Sequence, residues 1–281
     1  MIIIYNFSKI NLNLKRLKML NNKNLSLDEF KKRHGYVIDG VWYPRVTSIV
    51  DIKSKPALYY FYAAAENFTE AQNKKREAAY EGTIVHEILE SIVRDREIIV
   101  PPEYIGFKKG FENFLKNYSL FTKAEWIEKR IKHSNYRYSG TFDILAEVDG
   151  VFSLIDIKTA TEIYDDYRLQ TSAYFFALND EPILLDKNKK IILPKNIEKR
   201  YILRINQIQI CELCGAKKIL RRMGDKIKGG EVNCQHKFGE IQDEWEFKEF
   251  DNPEEDFKGF LACKELWEWE YRDQLKALGY L

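Results

Sequence analysis

No run in the 281 residues approaches the roughly 18 consecutive apolar residues that a helix needs to cross a membrane. The opening Met1-Ile2-Ile3-Ile4-Tyr5 is apolar but has neither a basic n-region nor a full h-region. It does not read as a secretory signal, and an intracellular, cytoplasmic setting is expected. Charge of one sign is also lacking. With 45 Lys and Arg against 43 Asp and Glu, the net charge of +2 does not advertise a polyanionic partner. Nucleic-acid contacts must then rest on local patches such as Lys129, Arg130 and Lys132, or Lys217, Lys218, Arg221 and Arg222, which read equally as solvated faces. There is no internal repeat and no low-complexity block. What is present is 45% hydrophobic content, enough for one sizeable core, and 17 Tyr and 17 Phe, some of which could stack on unpaired bases.

The most informative stretch runs from Ser139 to Thr159. Asp149-Gly150 is a strong two-residue hairpin signal, and a turn there pairs Val148 with Val151. Counting outward places Asp143 directly opposite Asp156. Lys158 shares their face, because strand side chains repeat every two residues. Phe142, Ile144, Ala146, Val148, Val151, Ile155 and Ile157 make the other face, which reads as core. Two carboxylates with Cβ atoms roughly 5 Å apart repel each other unless a cation lies between them. Hard oxygen ligands suit Mg²⁺ or Mn²⁺, and the adjacent ammonium could hold a water or offset charge on a phosphate. The alternative is a solvated hairpin face carrying ordinary surface charges.

Two helices carry further candidates. Ile84, Val85, Ile88, Leu89, Ile92 and Val93 form an apolar stripe, with His86 and Glu90 together on one flank. His86 is then a third metal ligand or a surface histidine, and Glu90 could contribute through water. Gln170 and Tyr174, four apart on a helix expected over 164–178, face one way, toward the site or at the edge of the core.

At these residues the chain resembles the RecB-like branch of the PD-(D/E)XK nuclease superfamily, as in phage-type and mitochondrial-type exonucleases. Gly82-Thr83-Ile84-Val85-His86 is similar to the family's GxxxH helix and Gly140-Thr141-Phe142-Asp143 to its GTxD strand. Asp156-Ile157-Lys158 is similar to its D/E-x-K strand and Gln170-Thr171-Ser172-Ala173-Tyr174 to its QxxxY helix. The resemblance spans about residues 36–275. Phe142 stands where other branches have proline, but GTxD is common in this one. The resemblance implies an α/β restriction-endonuclease-like core, with a mixed central sheet flanked by helices. It implies a site of His86, Asp143, Asp156 and the Ile157 carbonyl on Mg²⁺ or Mn²⁺, with Lys158, Gln170 and Tyr174 acting on substrate. It also implies hydrolysis of single-stranded DNA or DNA ends in replication, recombination or repair, with a possible helicase or recombination partner. The segment from Pro44 to Ile49 falls in a position often close to DNA. A CRISPR-adaptation-like end-trimming nuclease and a non-catalytic nucleic-acid-binding module are the alternatives.

The expected organisation is an N-terminal arm (1–34), with Met19 an alternative start, followed by one nuclease domain (35–281) containing a small Cys-rich insertion (211–236). A hairpin about Asp39-Gly40, helices near 57–97 and 106–118, three strands between 125 and 159, a strand over 200–210 and a final helix over 253–278 make up the domain. In the insertion, Cys211-Glu212-Leu213-Cys214 is a C-x-x-C knuckle to which Cys234-Gln235-His236 returns. Four such ligands could close a tetrahedral structural Zn²⁺ site or be ordinary reduced residues. Some RecB-like nucleases carry an iron-sulfur cluster instead, with one cysteine before the core. Here all four, Cys263 included, follow it.

Overall fold

A computed structural model describes residues 25–186, 189–222 and 224–281; residues 1–24, most of the expected arm and Met19 with it, lie outside the described residues. Helix α1 (Leu27–His34) starts at a capping box, in which Ser26 Oγ accepts from Glu29 N at 3.3 Å and Ser26 N donates to Glu29 Oε2 at 3.0 Å. Its Phe30 is fully buried beside Trp42, Trp267 and Tyr271. This end of the expected arm is therefore packed into the domain.

Strands β1 (Gly35–Ile38) and β2 (Val41–Pro44) form the expected hairpin, with Ile38 opposite Val41. Asp39 and Gly40 have φ of +50° and +79°. Two consecutive positive φ values give the primed turn whose twist matches paired strands. Helices α2 (Val46–Val50), α3 (Pro56–Ala64) and α4 (Phe68–Val93) follow. The single helix expected near 57–97 is split because Asn67, in an extended conformation, caps α4 by accepting from Glu70 N at 2.9 Å.

After α5 (Ile105–Asn117) come β3 (Leu120–Phe121), β4 (Ile127–His133), β5 (Tyr138–Val148) and β6 (Val151–Lys158), then α6 (Asp166–Asp180), β7 (Ile183–Asp186), β8 (Lys189–Ile192), β9 (Lys199–Ile210), β10 (Lys217–Ile219), β11 (Lys226–Lys228), β12 (Gln242–Glu249), α7 (Pro253–Glu270) and α8 (Arg272–Ala277). Among the described residues, all the strands except β1 and β2 join one mixed, ten-stranded sheet ordered β11-β10-β9-β6-β5-β4-β7-β8, with β12 on β9 and β3 on β5. Strands β4, β5 and β6 run antiparallel, and α6 carries the chain back so that β9 lies parallel to β6. Ile208 of β9 pairs with Ile219 of β10 on one side and Gln242 of β12 on the other. Strand β10 thus continues the edge of β9 beyond the end of β6. The final helix expected over 253–278 breaks at Tyr271 into α7 and α8.

Helices cover both faces of the sheet. Leu89 of α4 and Phe107, Phe111 and Phe114 of α5 pack on Ile144, Ala146, Ile155 and Ile157. Ala173, Tyr174 and Ala177 of α6 and Phe260 and Trp267 of α7 pack on Tyr138, Phe142, Leu145 and Leu154. Each fully buried Phe contributes roughly 1.5–3 kcal/mol. The period-two expectation fails at one place. Phe142 and Leu145 lie in one cluster and Ile144 in the other, so the alternation of β5 slips at Asp143. Strict alternation would have kept Phe142 with Ile144. The slip falls on the candidate ligand itself.

Candidate metal centre and cleft

The β5–β6 ladder has the expected register, with Ile144 opposite Ile155 and Val148 opposite Val151 across Asp149 (φ +48°) and Gly150 (φ +86°). The last laddered pair on the Asp143 side is Ile144–Ile155. One residue further, the Asp143 carboxylate replaces the ladder, with Oδ2 accepting from Ile157 N at 2.6 Å. The contact Ile157 makes here is thus through its N–H.

Asp143 Oδ1 lies 3.6 Å from His86 Nδ1, which α4 brings in over the sheet. A third group joins them that the motif reading did not name. Glu128 of β4 sits 3.7 Å from the same ring nitrogen, and ligand atoms of His86, Glu128 and Asp143 lie within 4.8 Å of one another. Glu128 has φ of +52°, a left-handed conformation that a non-glycine residue rarely adopts inside a strand. Such strain concentrates at functional positions. In the sequence Glu128 is simply one charge in Ile127-Glu128-Lys129-Arg130, so nothing in the pattern singled it out. Burial pulls the His86 imidazole down, but the carboxylates of Asp143 and Glu128 outweigh it and hold the ring near pKa 9.

Asp156, 1% exposed, is turned toward Lys158 and α6. Its Oδ2 lies 2.7 Å from Lys158 Nζ, and its Oδ1 accepts from Gln170 Nε2 at 3.2 Å. Gln170 also takes Lys158 Nζ on Oε1 at 3.3 Å and donates to the Tyr174 hydroxyl at 3.1 Å. One amide therefore fixes the carboxylate and the ammonium together. Tyr174 reaches this position only because residue 140 is glycine, since a Cβ there would stand 2.4 Å from the Tyr174 ring. At Gly82 a Cβ would meet Thr159 Oγ1 at an ordinary 3.6 Å, so packing does not demand that glycine.

The Asp156–Lys158 ion pair is short, and its carboxylate is almost wholly buried. Burial and the Asp143 charge push Asp156 up to about 6, against the pull of Lys158. Burial likewise raises Asp143. Lys158 is disfavoured by burial, yet Asp156 and Asp143 raise it, so it stays an ammonium. A partly buried Asp143 and a buried Asp156, both raised in pKa, are chemically suited to a hard divalent cation. Glu90 is held away from the group by Arg94 Nε at 2.7 Å.

His86 and Lys158 open onto a cleft of about 420 Å³ whose far wall includes Glu81, Arg221 and Lys226. Arg221 hydrogen-bonds the Thr159 carbonyl and the Asn206 side chain and lies 3.3 Å from Glu81. The rest of its sequence cluster is neutralised: Lys217 pairs with Glu244, Lys218 with Asp225 and Arg222 with Glu77. In the other patch Lys129 is buried on Asp186, and Arg130 stacks 3.9 Å over Tyr36.

A second cluster lies in the insertion. Ligand atoms of Cys211, Cys214, Cys234 and His236 fall within 4.8 Å of one another, a possible metal-binding group. Cys211 Sγ is 3.9 Å from Cys234 Sγ, and Cys214 Sγ is 3.4 Å from His236 Nδ1. The knuckle turns at Gly215, φ +72°, and a Cβ on Gly230 would meet Cys214 Sγ at 2.8 Å. Desolvation opposes the Cys211 thiolate, but the amides of Cys214 and Leu213 and the His236 ring pull the thiol down to about 6. Cys263 is on α7, outside this group.

Neither the protein-family models nor the curated proteins compared with the chain give a match. Among the described residues, no helix is long and apolar enough to cross a membrane.

Proposed function

We propose that the chain is a Mg²⁺- or Mn²⁺-dependent deoxyribonuclease with a RecB-like, restriction-endonuclease-like core. It acts as an exonuclease on single strands or DNA ends in replication, recombination or repair. The observation that carries the reading is the pair of carboxylates Asp143, partly buried, and Asp156, fully buried. They are raised in pKa, joined by His86 from α4 and flanked by a protonated Lys158 on the wall of an open cleft. Three elements, α4, β5 and β6, supply these groups.

His86, Glu128 and Asp143, whose ligand atoms converge, are the residues that would hold the metal, and Asp156, turned here toward Lys158 and Gln170, would join them only by turning from that pair; the metal when bound would supply a Lewis acid and a water of lowered pKa. Lys158 then acts as a fixed cation at the place where charge builds on the attacked phosphate, rather than as a base. Gln170 keeps that ammonium and Asp156 in register, and Tyr174 anchors Gln170. Arg221 and Lys226 line the opposite wall, where a phosphodiester backbone is drawn by charge. In the insertion, three thiolates and an imidazole are the donor set of a closed structural Zn²⁺ site.

The test incubates the protein and its Asp156→Ala variant with Mg²⁺ or Mn²⁺ and end-labelled linear or closed circular DNA, single and double stranded. Degradation of linear single strands by the wild type alone, with circles spared, is the expected result. Cut circles make it an endonuclease. Silence on every substrate leaves a binding module.

A further inference from the structure

Beside the catalytic cleft lies a second cavity of about 440 Å³ of a different character. Leu58, Phe61, Ala64 and Ala65 of α3 and its end, with Ala78 of α4, give it an apolar lining. Lys74, Lys75, Arg221 and Lys226 stand around it. Ala78, Glu81, Arg221 and Lys226 line both spaces, so the cavity adjoins the cleft that His86 and Lys158 line. Apolar floor, cationic rim and a wall shared with a cleft lined by Lys158, Arg221 and Lys226 describe one kind of occupant. It must carry a flat apolar body and an anionic link one short step apart.

We infer that the pocket between α3 and α4 receives an unpaired nucleobase whose own phosphate lies in the adjoining cleft, which makes a single strand the substrate class of this site. The inference rests on the nuclease reading and deepens it. A base paired in a duplex keeps its face against its neighbours and cannot enter a side pocket without being extruded, which costs stacking and pairing. An unpaired base enters freely, and burial of its π-face against Phe61 and Leu58 requires no particular base. Lys226 supports the same occupant. Burial and the nearby charges of Arg221 and Lys228 hold its ammonium below the usual lysine range, so an anion between Arg221 and Lys226 relieves a repulsion already present. Glu81 and Asp225 also line the pocket, and they are held by Arg221 and Lys218 respectively. Tyr62 and Phe68, stacked at 5.7 Å, brace the junction of the two helices.

The decisive experiment measures equilibrium binding by the Lys158→Ala protein without added divalent metal, conditions under which it is expected not to cleave. Three fluorescent probes of equal length are compared: a thymidine single strand, the same strand with abasic sites throughout, and a duplex. Wild-type cleavage of the thymidine strand with Mg²⁺ is followed in parallel. The thymidine strand is expected to bind about tenfold or more tighter than the abasic strand, the scale of one or two stacked bases. Phe61→Ala should erase that ratio. Lys226→Gln should weaken both strands alike, which separates base from phosphate recognition without disturbing the apolar lining. Equal affinity for thymidine and abasic strands overturns the base pocket whatever the cleavage result, because both probes are compared on one and the same protein. A loss in Phe61→Ala shared equally by both strands also overturns it. Absence of wild-type cleavage on every substrate removes the nuclease reading, and the inference with it.

Discussion

The cleft and the knuckle both gather metal-type ligands, and they are built in opposite ways. The knuckle takes its four groups from one short insertion, whose turns at Gly215 and Gly230 bring soft ligands together locally. The cleft takes His86, Glu128, Asp143, Asp156 and Lys158 from α4, β4, β5 and β6, and it needs the whole sheet to exist. Their electrostatics differ in the same sense. Beside the knuckle, desolvation of Glu244 is outweighed by Lys217 and Arg204, which hold its carboxyl at about 2. In the cleft, Asp156 is pushed up to about 6. Charge near the insertion is arranged for stability, whereas charge in the cleft is set against itself and suits a ligand.

The sharpest way to break this contrast is to remove Lys158. Lys158→Ala should lower cleavage by about a hundredfold to a thousandfold while metal and DNA binding stay largely intact, because the charge that meets the transition state is lost. Unchanged turnover would reject the assignment of the cleft. Removing the divalent metal with a chelator should stop the wild type, and adding Mg²⁺ or Mn²⁺ should restore it.

Glu128 sharpens the comparison from the other side. If its strained backbone serves metal binding, Glu128→Gln should raise the Mg²⁺ concentration for half-maximal activity about ten- to a hundredfold, with little change at saturation. A metal titration showing no shift would confine the ligand set to His86 and the two aspartates.

In the knuckle the expected effect is on stability. Cys214→Ser should release metal measurable by elemental analysis and cost about 3 kcal/mol, the linkage value for a ligand present at a hundredfold its Kd. Cleavage should fall only to the extent that Arg221 and Lys226, which the same insertion carries, lose their places in the cleft wall. A colourless protein with about one zinc per chain supports the closed tetrahedral site. A brown protein containing iron would overturn it.

How much of this could be read in the sequence depended on how local each determinant was. The two Asp-Gly turns fix their hairpins through φ at two residues, so the β5–β6 register from Val148–Val151 to Ile144–Ile155 was legible, but not the break that follows at Asp143. The motif residues were legible because helix and strand periods place them without knowledge of the fold. Strand β12 was missed because Gln242-Asp243-Glu244-Trp245-Glu246-Phe247-Lys248-Glu249 is mostly charged, and its pairing to β9 is decided by partners elsewhere. The β7–β8 hairpin was missed as well. Glu128 and the slip of alternation at Asp143 are tertiary features: a left-handed residue in one strand and a carboxylate replacing a ladder bond in the next. Arg221 read as one charge in a basic cluster, and only the return of β10 along β9 brings it to Thr159.

The smallest effect tests the stabilising half of the contrast. Glu244 has a folded pKa below its unfolded value, so its contribution is fully present above about 4.5 and is lost as the pH falls toward about 2. Lys217 is 41% exposed, and solvent screening keeps the contribution to about 2 kcal/mol or less. Glu244→Gln should therefore lower the unfolding midpoint at pH 6–7, and the gap to wild type should narrow as both are titrated toward pH 3. A gap that stays constant across that range would mean that Glu244 acts by packing rather than by charge. The insertion would then owe its place to the metal and to β10–β9 pairing alone, and the electrostatic contrast between the two regions would rest on the cleft only.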